Sequence, residues 1–222
     1  MNVVLFGATG MIGQGVLREC LRDDRVTRVL AIGRRASGAP HPKLREIVQD
    51  DAADLERVDE DLSAYDACFY CLGVSSAGLS EDAYRRVTHD MTLTAARTLA
   101  ARAPGMTFVY VSGTGADSTE QGRVMWARVK GQTENALMRL PFKAVHIFRP
   151  GFIQPLHGIK SRTSWYNAIY AVLGPLYPLL NAIAPRYVTT TEQVGRAMIA
   201  VAAHGAPQRI LENADINAAA AL

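Results

Sequence analysis

The chain has 222 residues and a mass of 24.1 kDa, which is the size of one domain with a single hydrophobic core. Hydrophobic residues make up 49% of the chain and charged residues 20%, a balance that excludes intrinsic disorder. The net charge of +3 is too small, and the charges too evenly spread, to indicate a nucleic-acid partner.

The predicted elements alternate between strands and helices over most of the chain. Apolar and β-branched runs predict strands at 2–6, 26–32, 44–48, 67–72, 106–111 and 144–148. Apolar residues at helical spacing predict helices at 11–21, 80–102, 124–139 and 191–204, with one or two helical turns at 54–58. This alternation predicts an α/β fold, in which a doubly wound parallel sheet carries helices on both faces.

Three glycines mark the turn between the first strand and the first helix. Gly7, Gly10 and Gly13 stand in the segment GATGMIG. The first allows a tight turn, the second lets the backbone approach a pyrophosphate, and the third lets the helix pack closely on the strand. The helix N-terminus adds free N–H groups and a partial positive charge. The segment predicts a Rossmann-type dinucleotide site; the alternative is a purely structural glycine turn.

The alternation of strands and helices ends near residue 150, and the predicted single domain, 1–222, therefore has three parts. Residues 1–150 form the dinucleotide-binding core, residues 151–206 a small C-terminal helical substrate or lid segment, and residues 207–222 a tail. Residues 218–221 are expected to fray, because they form a low-complexity run at the end of the chain.

The end of the second strand indicates which dinucleotide is bound. An NAD site places an acidic residue about 20 residues beyond the glycines, where it holds the ribose 2′-hydroxyl. Here Arg34 and Arg35 follow Gly33, and no acid lies between Val26 and Ala36. Because a guanidinium suits a 2′-phosphate, we predict that NADP(H) is preferred over NAD(H). The alternative is two solvated arginines on a loop.

Several segments together resemble a known family. GATGMIG at residue 7, GRR at 33, VSGTG at 111, WARVKG at 126 and FRPG at 148 resemble the short-chain dehydrogenase/reductase superfamily. They are most similar to its atypical group, which includes NAD-dependent epimerase/dehydratase-like proteins and the Tat-interacting oxidoreductase-like group. The resemblance covers residues 2 to about 204. It implies an NAD(P)-binding Rossmann fold with oxidoreductase activity.

The resemblance also implies roles for individual residues. The pyrophosphate would be lined by Gly7, Thr9, Gly10, Met11, Ile12 and Gly13, and the 2′-phosphate would meet Arg34 and Arg35. Asp51 would accept from the adenine amino group, and Leu72, Gly73 and Val74 would lie beside the adenosine ribose. Ser112 matches the active-site serine and Lys130 the lysine that holds the nicotinamide ribose. The segment beside the nicotinamide carboxamide would consist of Pro150, Gly151, Phe152 and Ile153.

The sequence departs from the family at one catalytic position. The family pairs its lysine with a tyrosine four residues earlier, but here Trp126 precedes Lys130. An indole can donate a hydrogen bond, yet it is neither an acid nor a base near neutral pH. Another residue could supply the proton, the candidates being Tyr166, Tyr170, His146 and His157. Alternatively, hydride transfer needs no protein acid, as with an activated double bond or a quinone, or catalysis has been lost.

These observations predict an NADP(H)-binding oxidoreductase-like protein that acts on a small, partly apolar substrate. The alternative is a non-catalytic NADP(H)-sensing protein that binds a protein partner. The uncharged stretch 165–185 is interrupted by prolines and is therefore not expected to span a membrane. We expect it to form a lid or floor for an apolar substrate; a homodimer face and a membrane-surface contact are the alternatives. His157, Lys160 and Arg162 precede it and could bind an acidic substrate group.

The cysteines and the N-terminus indicate the compartment. Cys68 and Cys71 form a CxxC spacing, but on a strand these side chains point to opposite faces. Together with Cys20 they make an odd number, so we predict neither a metal site nor a disulfide. Met1 leads into an apolar strand without the basic region of a signal peptide, and we therefore expect a cytoplasmic protein.

Overall fold

The computed structural model describes residues 1–159 and 183–222. These residues contain a seven-stranded sheet in which every strand pair is parallel, in the order β3-β2-β1-β4-β5-β6-β9. Its strands are β1 Asn2–Phe6, β2 Arg28–Gly33, β3 Leu44–Val48, β4 Ala67–Tyr70, β5 Thr107–Val111, β6 Ala144–Arg149 and β9 Ile210–Glu212. The predicted doubly wound, Rossmann-type sheet is therefore confirmed.

Helices cover both faces of the sheet. They are α1 Met11–Arg22, α2 Glu81–Arg85, α3 Met91–Arg102, α4 Met125–Leu137, α5 Thr191–His204 and α6 Asn213–Ala219. A π-helical turn, Arg86–Asp90, joins α2 to α3, so the predicted helix 80–102 is one continuous helical stretch. The Ser80 hydroxyl accepts a hydrogen bond from the Ala83 N–H at its start (3.3 Å), as expected of an N-cap.

Two apolar clusters fill the space between the helices and the sheet. One contains Tyr70 and Tyr110 from the strands with Leu93 and Leu99 from α3. The other lies on the opposite face and contains core residues of α1, α5 and α6, such as Val16, Met198 and Ile216. Both faces are dry because the strands are buried on each side, which is typical of parallel sheets.

The cysteines lie as the strand alternation predicts. Cys68 belongs to the first cluster, whereas Cys71 packs against the second, together with Cys20. All three are free thiols, and burial raises the pKa of each well above its ordinary value. Raised thiol pKa values make nucleophilic or metal-binding thiolates unfavourable here.

The C-terminal region differs from the sequence prediction. The sequence indicates a tail at residues 207–222, but these residues contain β9 and α6, and Ala219 is buried. The predicted helical segment 151–206 contains two strands, β7 Phe152–Gln154 and β8 Val188–Thr190, which pair in a second small parallel sheet. Three-residue strands carry too little periodicity to be recognised locally. Residues 160–182, and with them most of the uncharged stretch 165–185, lie outside the described residues.

Residues 54–58 also differ from the prediction. They form separate turns rather than helix, with backbone hydrogen bonds from Asp54 to Asp51 and from Val58 to Leu55. Leu55 and Val58 are buried in the first cluster. Their apolar spacing therefore reflects packing against the sheet and not a helical period.

Candidate functional site

The strand ends define where a ligand can bind. Because the sheet is parallel, the carboxyl ends of all its strands lie along one edge. The chain runs outward from β1 to β2 and β3 in one direction and to β4, β5 and β6 in the other. In open α/β sheets the crevice at this reversal point is the ligand site. It falls between the ends of β1 and β4.

The glycine turn closes tightly at this point. Gly7 has a φ of +80°, which favours glycine, and a Cβ there would lie 2.7 Å from the backbone nitrogen of Leu72. A Cβ on Gly13 would overlap the carbonyl oxygen of Gly7. The turn therefore requires glycine at both positions, as the sequence predicts. It brings the start of α1 against the ends of β1 and β4.

The start of α1 is suited to an anion. Gly10 is its N-cap and supplies no side-chain hydrogen bond, and the first turn contains no acidic residue. The first N–H groups of a helix have no partner within the helix, and they carry a partial positive charge. Thr9, Met11 and Ile12 flank this end and are half-buried. A dinucleotide pyrophosphate therefore fits the residues present.

The predicted adenosine side lies at the ends of β2, β3 and β4. Arg34 and Arg35 are exposed and form no ion pair with another described residue. Their loop is held by Glu46, whose carboxylate accepts from the Ser37 N–H at 2.7 Å. Asp51 follows β3, and its carboxylate accepts from the Ala53 N–H at 2.9 Å.

The end of β4 leaves open space. Leu72 is half-buried, whereas Gly73 and Val74 are exposed. Nothing described lies within 4 Å of a Cβ placed on Gly73. These three residues thus border the crevice that the glycine turn opens, which is where the sequence prediction places the adenosine ribose.

Lys130 and Trp126 lie one turn apart on α4. The Lys130 ammonium sits 5.3 Å from the centroid of the buried Tyr110 ring, a cation–π distance. It forms no hydrogen bond with the residues that the structure describes. Burial lowers the pKa of Lys130 to about 8, against the opposing effect of the Glu134 carboxylate. The Trp126 indole packs over Gly115, 3.5 Å from where a Cβ would lie.

Ser112 has a different partner from the one expected of a catalytic serine. It is buried at the end of β5, and its hydroxyl donates to Glu134 on α4. The Glu134 carboxylate also accepts a hydrogen bond from Nε of Arg149, at 3.1 Å. Sequence reasoning missed Glu134 and Arg149. Two sequence features could have indicated them: Glu134 follows Lys130 by one helical turn, and Arg149 lies in the FRPG segment.

The residues after β6 are tied to both neighbouring elements. The Thr114 hydroxyl donates to the carbonyl of Arg149 (2.9 Å), and the Thr114 N–H donates to that of Pro150 (3.0 Å). The Gly151 N–H donates to the Asn213 side chain at 2.9 Å. Phe152 and Ile153 then begin β7. The predicted nicotinamide segment, 150–153, is therefore fixed at the carboxyl edge beside β5.

The predicted histidine proton donors lie elsewhere. His146 is buried within β6, on the side of the sheet opposite Val145 and Ile147, and its Nδ1 lies 3.3 Å from the Gln208 carbonyl. His157 pairs with Glu192 at the start of α5 (2.7 Å). Both contacts lie away from the α4 face that carries Lys130. The other candidates, Tyr166 and Tyr170, lie outside the described residues, as do Lys160 and Arg162.

The fold and the glycine turn define an NAD(P)-binding protein of the short-chain dehydrogenase/reductase type. Comparison with known proteins identifies the family. The profile of the NAD(P)H-binding family matches residues 7–142, more than half of the chain. The chain belongs to this family and is an atypical short-chain dehydrogenase/reductase-like protein, as its motifs predict.

Known relatives fall in the same group. The mitochondrial protein fmp52 of Emericella nidulans is 35% identical over 160 residues, which cover 68% of this chain and 66% of the relative. HTATIP2 of Rattus norvegicus is 31% identical over 156 residues, 68% of this chain and 62% of the relative. The chain thus matches slightly less than two thirds of the length of these relatives.

Solved structures share the fold. The enzyme WbmF of Bordetella bronchiseptica in complex with NAD⁺ has a TM-score of 0.66 and 16% identity, over 98% of this chain and 76% of that one. The KRED1-Pglu enzyme has a TM-score of 0.66 and 14% identity, and the match covers 95% of this chain and 100% of that one. Among the residues that the structure describes, no helix is long and apolar enough to cross a membrane.

Proposed function

We propose that the protein is an NADP(H)-dependent oxidoreductase that acts on a small, partly apolar substrate. One observation carries the choice of cofactor: two exposed guanidinium groups, which have no ion-pair partner among the described residues, follow β2 beside a helix N-terminus suited to the pyrophosphate. Solvated arginines that are not engaged in an ion pair can bind a 2′-phosphate. When bound, the cofactor supplies or accepts a hydride at its nicotinamide ring.

The residues on and beside α4 limit which substrates the protein could reduce. Lys130 would donate to the hydroxyls of the nicotinamide ribose, since its ammonium has no other hydrogen-bond partner among the described residues. Trp126 cannot supply a proton, and the Ser112 hydroxyl is already donated to Glu134. We therefore favour substrates that need no protein acid, such as quinones and activated double bonds, which take their proton from water.

A binding titration tests the cofactor. We expect tight NADPH and weaker NADH binding, measured by energy transfer from tryptophan to the reduced nicotinamide. Replacing Arg34 and Arg35 with alanine should weaken NADPH binding by roughly tenfold or more and leave NADH nearly unchanged. Arg97→Ala, which removes one exposed arginine on α3, is the control for a general effect of lost positive charge. Equal loss with both cofactors would contradict the proposed reading of the 2′-phosphate.

The non-catalytic alternative rests on the same α4 residues. A protein that binds NADP(H) without turnover would also tolerate Trp126 and an engaged Ser112. The variant Trp126→Tyr separates the two, tested by NADPH oxidation with quinones, enones and simple carbonyls. Wild-type turnover supports the enzyme. Turnover that appears only in the variant indicates a sensor that has lost its acid.

Three further expectations stay predictions. The homodimer and the contact with a membrane surface were inferred from a stretch that is largely outside the described residues. The cytoplasmic location is the third prediction, and the fungal relatives are named as mitochondrial proteins. Size-exclusion chromatography and localisation of a tagged chain would test these predictions.

A further inference from the structure

Glu134, one helical turn after Lys130 on α4, carries a buried carboxylate. Glu134 is fully buried, and both of its carboxylate oxygens are hydrogen-bonded. One accepts from the Ser112 hydroxyl and from Nε of Arg149, and the other accepts from a terminal nitrogen of Arg149. The charge of Glu134 is therefore balanced by the guanidinium of Arg149, whose side chain is only 11% exposed.

Arg149 connects this carboxylate to two other parts of the chain. Its terminal nitrogens donate to the Ser118 hydroxyl at 2.6 Å and to the Glu212 carboxylate at 3.3 Å. Its backbone carbonyl accepts from Thr114. The guanidinium thus joins α4, the loop after β5, and the start of α6 at the point where β6 leads into the predicted nicotinamide segment.

Stability alone does not explain such a cluster. Well-packed apolar residues of similar volume often stabilise a core at least as well as a buried ion pair, whose charges must be desolvated. What apolar residues cannot supply is a fixed negative charge. Glu134 lies one turn beyond Lys130 on the same helix, and its field favours the charged ammonium against the effect of burial.

We propose that Glu134 and Arg149 are positioning residues for Lys130. The Arg149 guanidinium fixes the Glu134 carboxylate, and this carboxylate keeps the Lys130 ammonium charged and in place to bind the cofactor. Ser112 belongs to the same cluster as a donor to Glu134 and not as a donor to substrate. The cofactor part of this assignment rests on the proposed function, whereas the coupling of Glu134 to Lys130 does not.

Among the residues that the structure describes, few charged groups compete with Glu134 at Lys130. From β5, Tyr110 presents its ring, and burial raises the pKa of its phenol well above the ordinary value. From α2, Tyr84 faces Tyr110. From β6, Arg149 faces Glu134. Of these groups only Glu134 carries a negative charge near neutral pH, so its removal should alter the titration of Lys130.

Lysine NMR tests the coupling without a cofactor. The chain contains only four lysines, Lys43, Lys130, Lys143 and Lys160, and the variant Lys130→Arg assigns the signal. In the double variant Glu134→Gln/Arg149→Met, which removes both charges and so avoids an unpaired guanidinium, we expect the Lys130 midpoint to fall by about one pH unit. Arg149→Lys should keep it near the wild-type value.

The control is Glu81→Gln. Glu81 also pairs with α4, through Arg128 at 2.6 Å, but at the surface of the protein. This variant should leave the Lys130 midpoint unchanged. An unchanged midpoint in the folded double variant, with its helix content checked by circular dichroism, would overturn the proposal.

NADPH titration then tests the consequence for binding. We expect the double variant to bind NADPH about tenfold more weakly at pH 7, and Arg149→Lys to recover most of the affinity. A shifted Lys130 midpoint with unchanged affinity would show that Glu134 sets the charge of Lys130 but does not position it for the cofactor, which overturns that part. If wild type binds neither NADPH nor NADH, the proposed function fails, and the NMR titration still decides the coupling.

Discussion

The ammonium of Lys130 is disfavoured by burial, and this cost should be measurable in the free energy of unfolding. Burial lowers its pKa to about 8, so below that pH the folded protein holds a poorly solvated ammonium. Between about pH 8 and the ordinary lysine value near 10.5 the unfolded chain binds a proton that the folded chain lacks, and stability therefore rises with pH in this window. We expect Lys130→Met to be about 1–3 kcal/mol more stable than wild type at pH 7.

Urea unfolding at about pH 7 and about pH 9.5 checks this prediction. The advantage of Lys130→Met over wild type should shrink at the higher pH, because the wild-type lysine is then mostly neutral when folded. The variant should also bind NADPH more weakly, so that stability and affinity change in opposite directions. Lys143→Met, at an exposed lysine, is the control. A destabilised Lys130→Met variant would mean that the ammonium has a favourable partner in the folded chain.

The glycine turn gives a second prediction for a single residue. In Gly13→Ala the new Cβ would overlap the Gly7 carbonyl, so α1 must move away from the turn. We expect a loss of about 1–3 kcal/mol in the free energy of unfolding and at least a tenfold loss of NADPH affinity. Gly105→Ala is the control, since nothing described lies within 4 Å of its Cβ. Wild-type affinity in Gly13→Ala would contradict the assignment of this turn to the pyrophosphate.

The residues of the site differ in how far sequence could predict them. The roles of Gly7 and Gly13 follow from a local strand–turn–helix pattern, and the structure brings both to the predicted crevice. The partner of Ser112 could not be inferred in this way. It depends on Glu134, 22 residues away, and on the position of Arg149 at the end of a neighbouring strand. Long-range pairs of this kind are set by the packing of α4 on the sheet.

At the scale of elements, the contact between α1 and α5 depends on two small residues. A Cβ on Gly15 would lie 2.6 Å from the Thr191 Cβ and carbonyl oxygen, and one on Gly195 would lie 2.8 Å from the Cγ of Glu19. The two helices run side by side in the same direction. No local sequence pattern marks these two glycines, because the closeness of two helices is not a local property.

We therefore expect Gly15→Ala to destabilise the protein by roughly 2–3 kcal/mol, because it meets backbone atoms that cannot move without separating the helices. Gly195→Ala should cost less, since part of its obstruction is the flexible Glu19 side chain. Chemical denaturation of both variants, with Gly105→Ala as the control, checks which variant loses more free energy of unfolding. Equal, small effects would mean that the helices adjust without loss of packing.

The elements themselves were predictable where their signals are local. The bounds of α5 match the prediction at 191–204, because Thr190 caps its N-terminus and apolar residues recur along one face. By contrast, β9 has three residues, and it becomes a strand only because Ile210 and Leu211 pair with Ile147 and Phe148 of β6. The pairing partner lies more than 60 residues earlier in the chain, so no local pattern reveals it.

For the molecule as a whole, β9 and α6 complete the sheet and the second apolar cluster. Leu211 and Ile216 are buried there, and the Asn213 side chain joins the Gly151 N–H to the Val188 carbonyl at 2.9 and 2.8 Å. The last elements of the chain therefore hold the segment that follows β6, next to the predicted nicotinamide site. A region that the sequence indicated only as a tail thus stabilises the carboxyl edge of the sheet.

Truncation after residue 206 tests this role. Losing the burial of the Leu211 and Ile216 side chains, at about 1.5–3 kcal/mol each, together with the Asn213 hydrogen bonds, should remove roughly 3–6 kcal/mol of stability. This is a large part of the total for one domain, so we expect the truncated chain to be largely unfolded or aggregated. Removing only residues 221–222, which are exposed, is the control and should leave the unfolding midpoint unchanged. A truncated chain with wild-type stability would mean that β9 and α6 dock on a core that is complete without them.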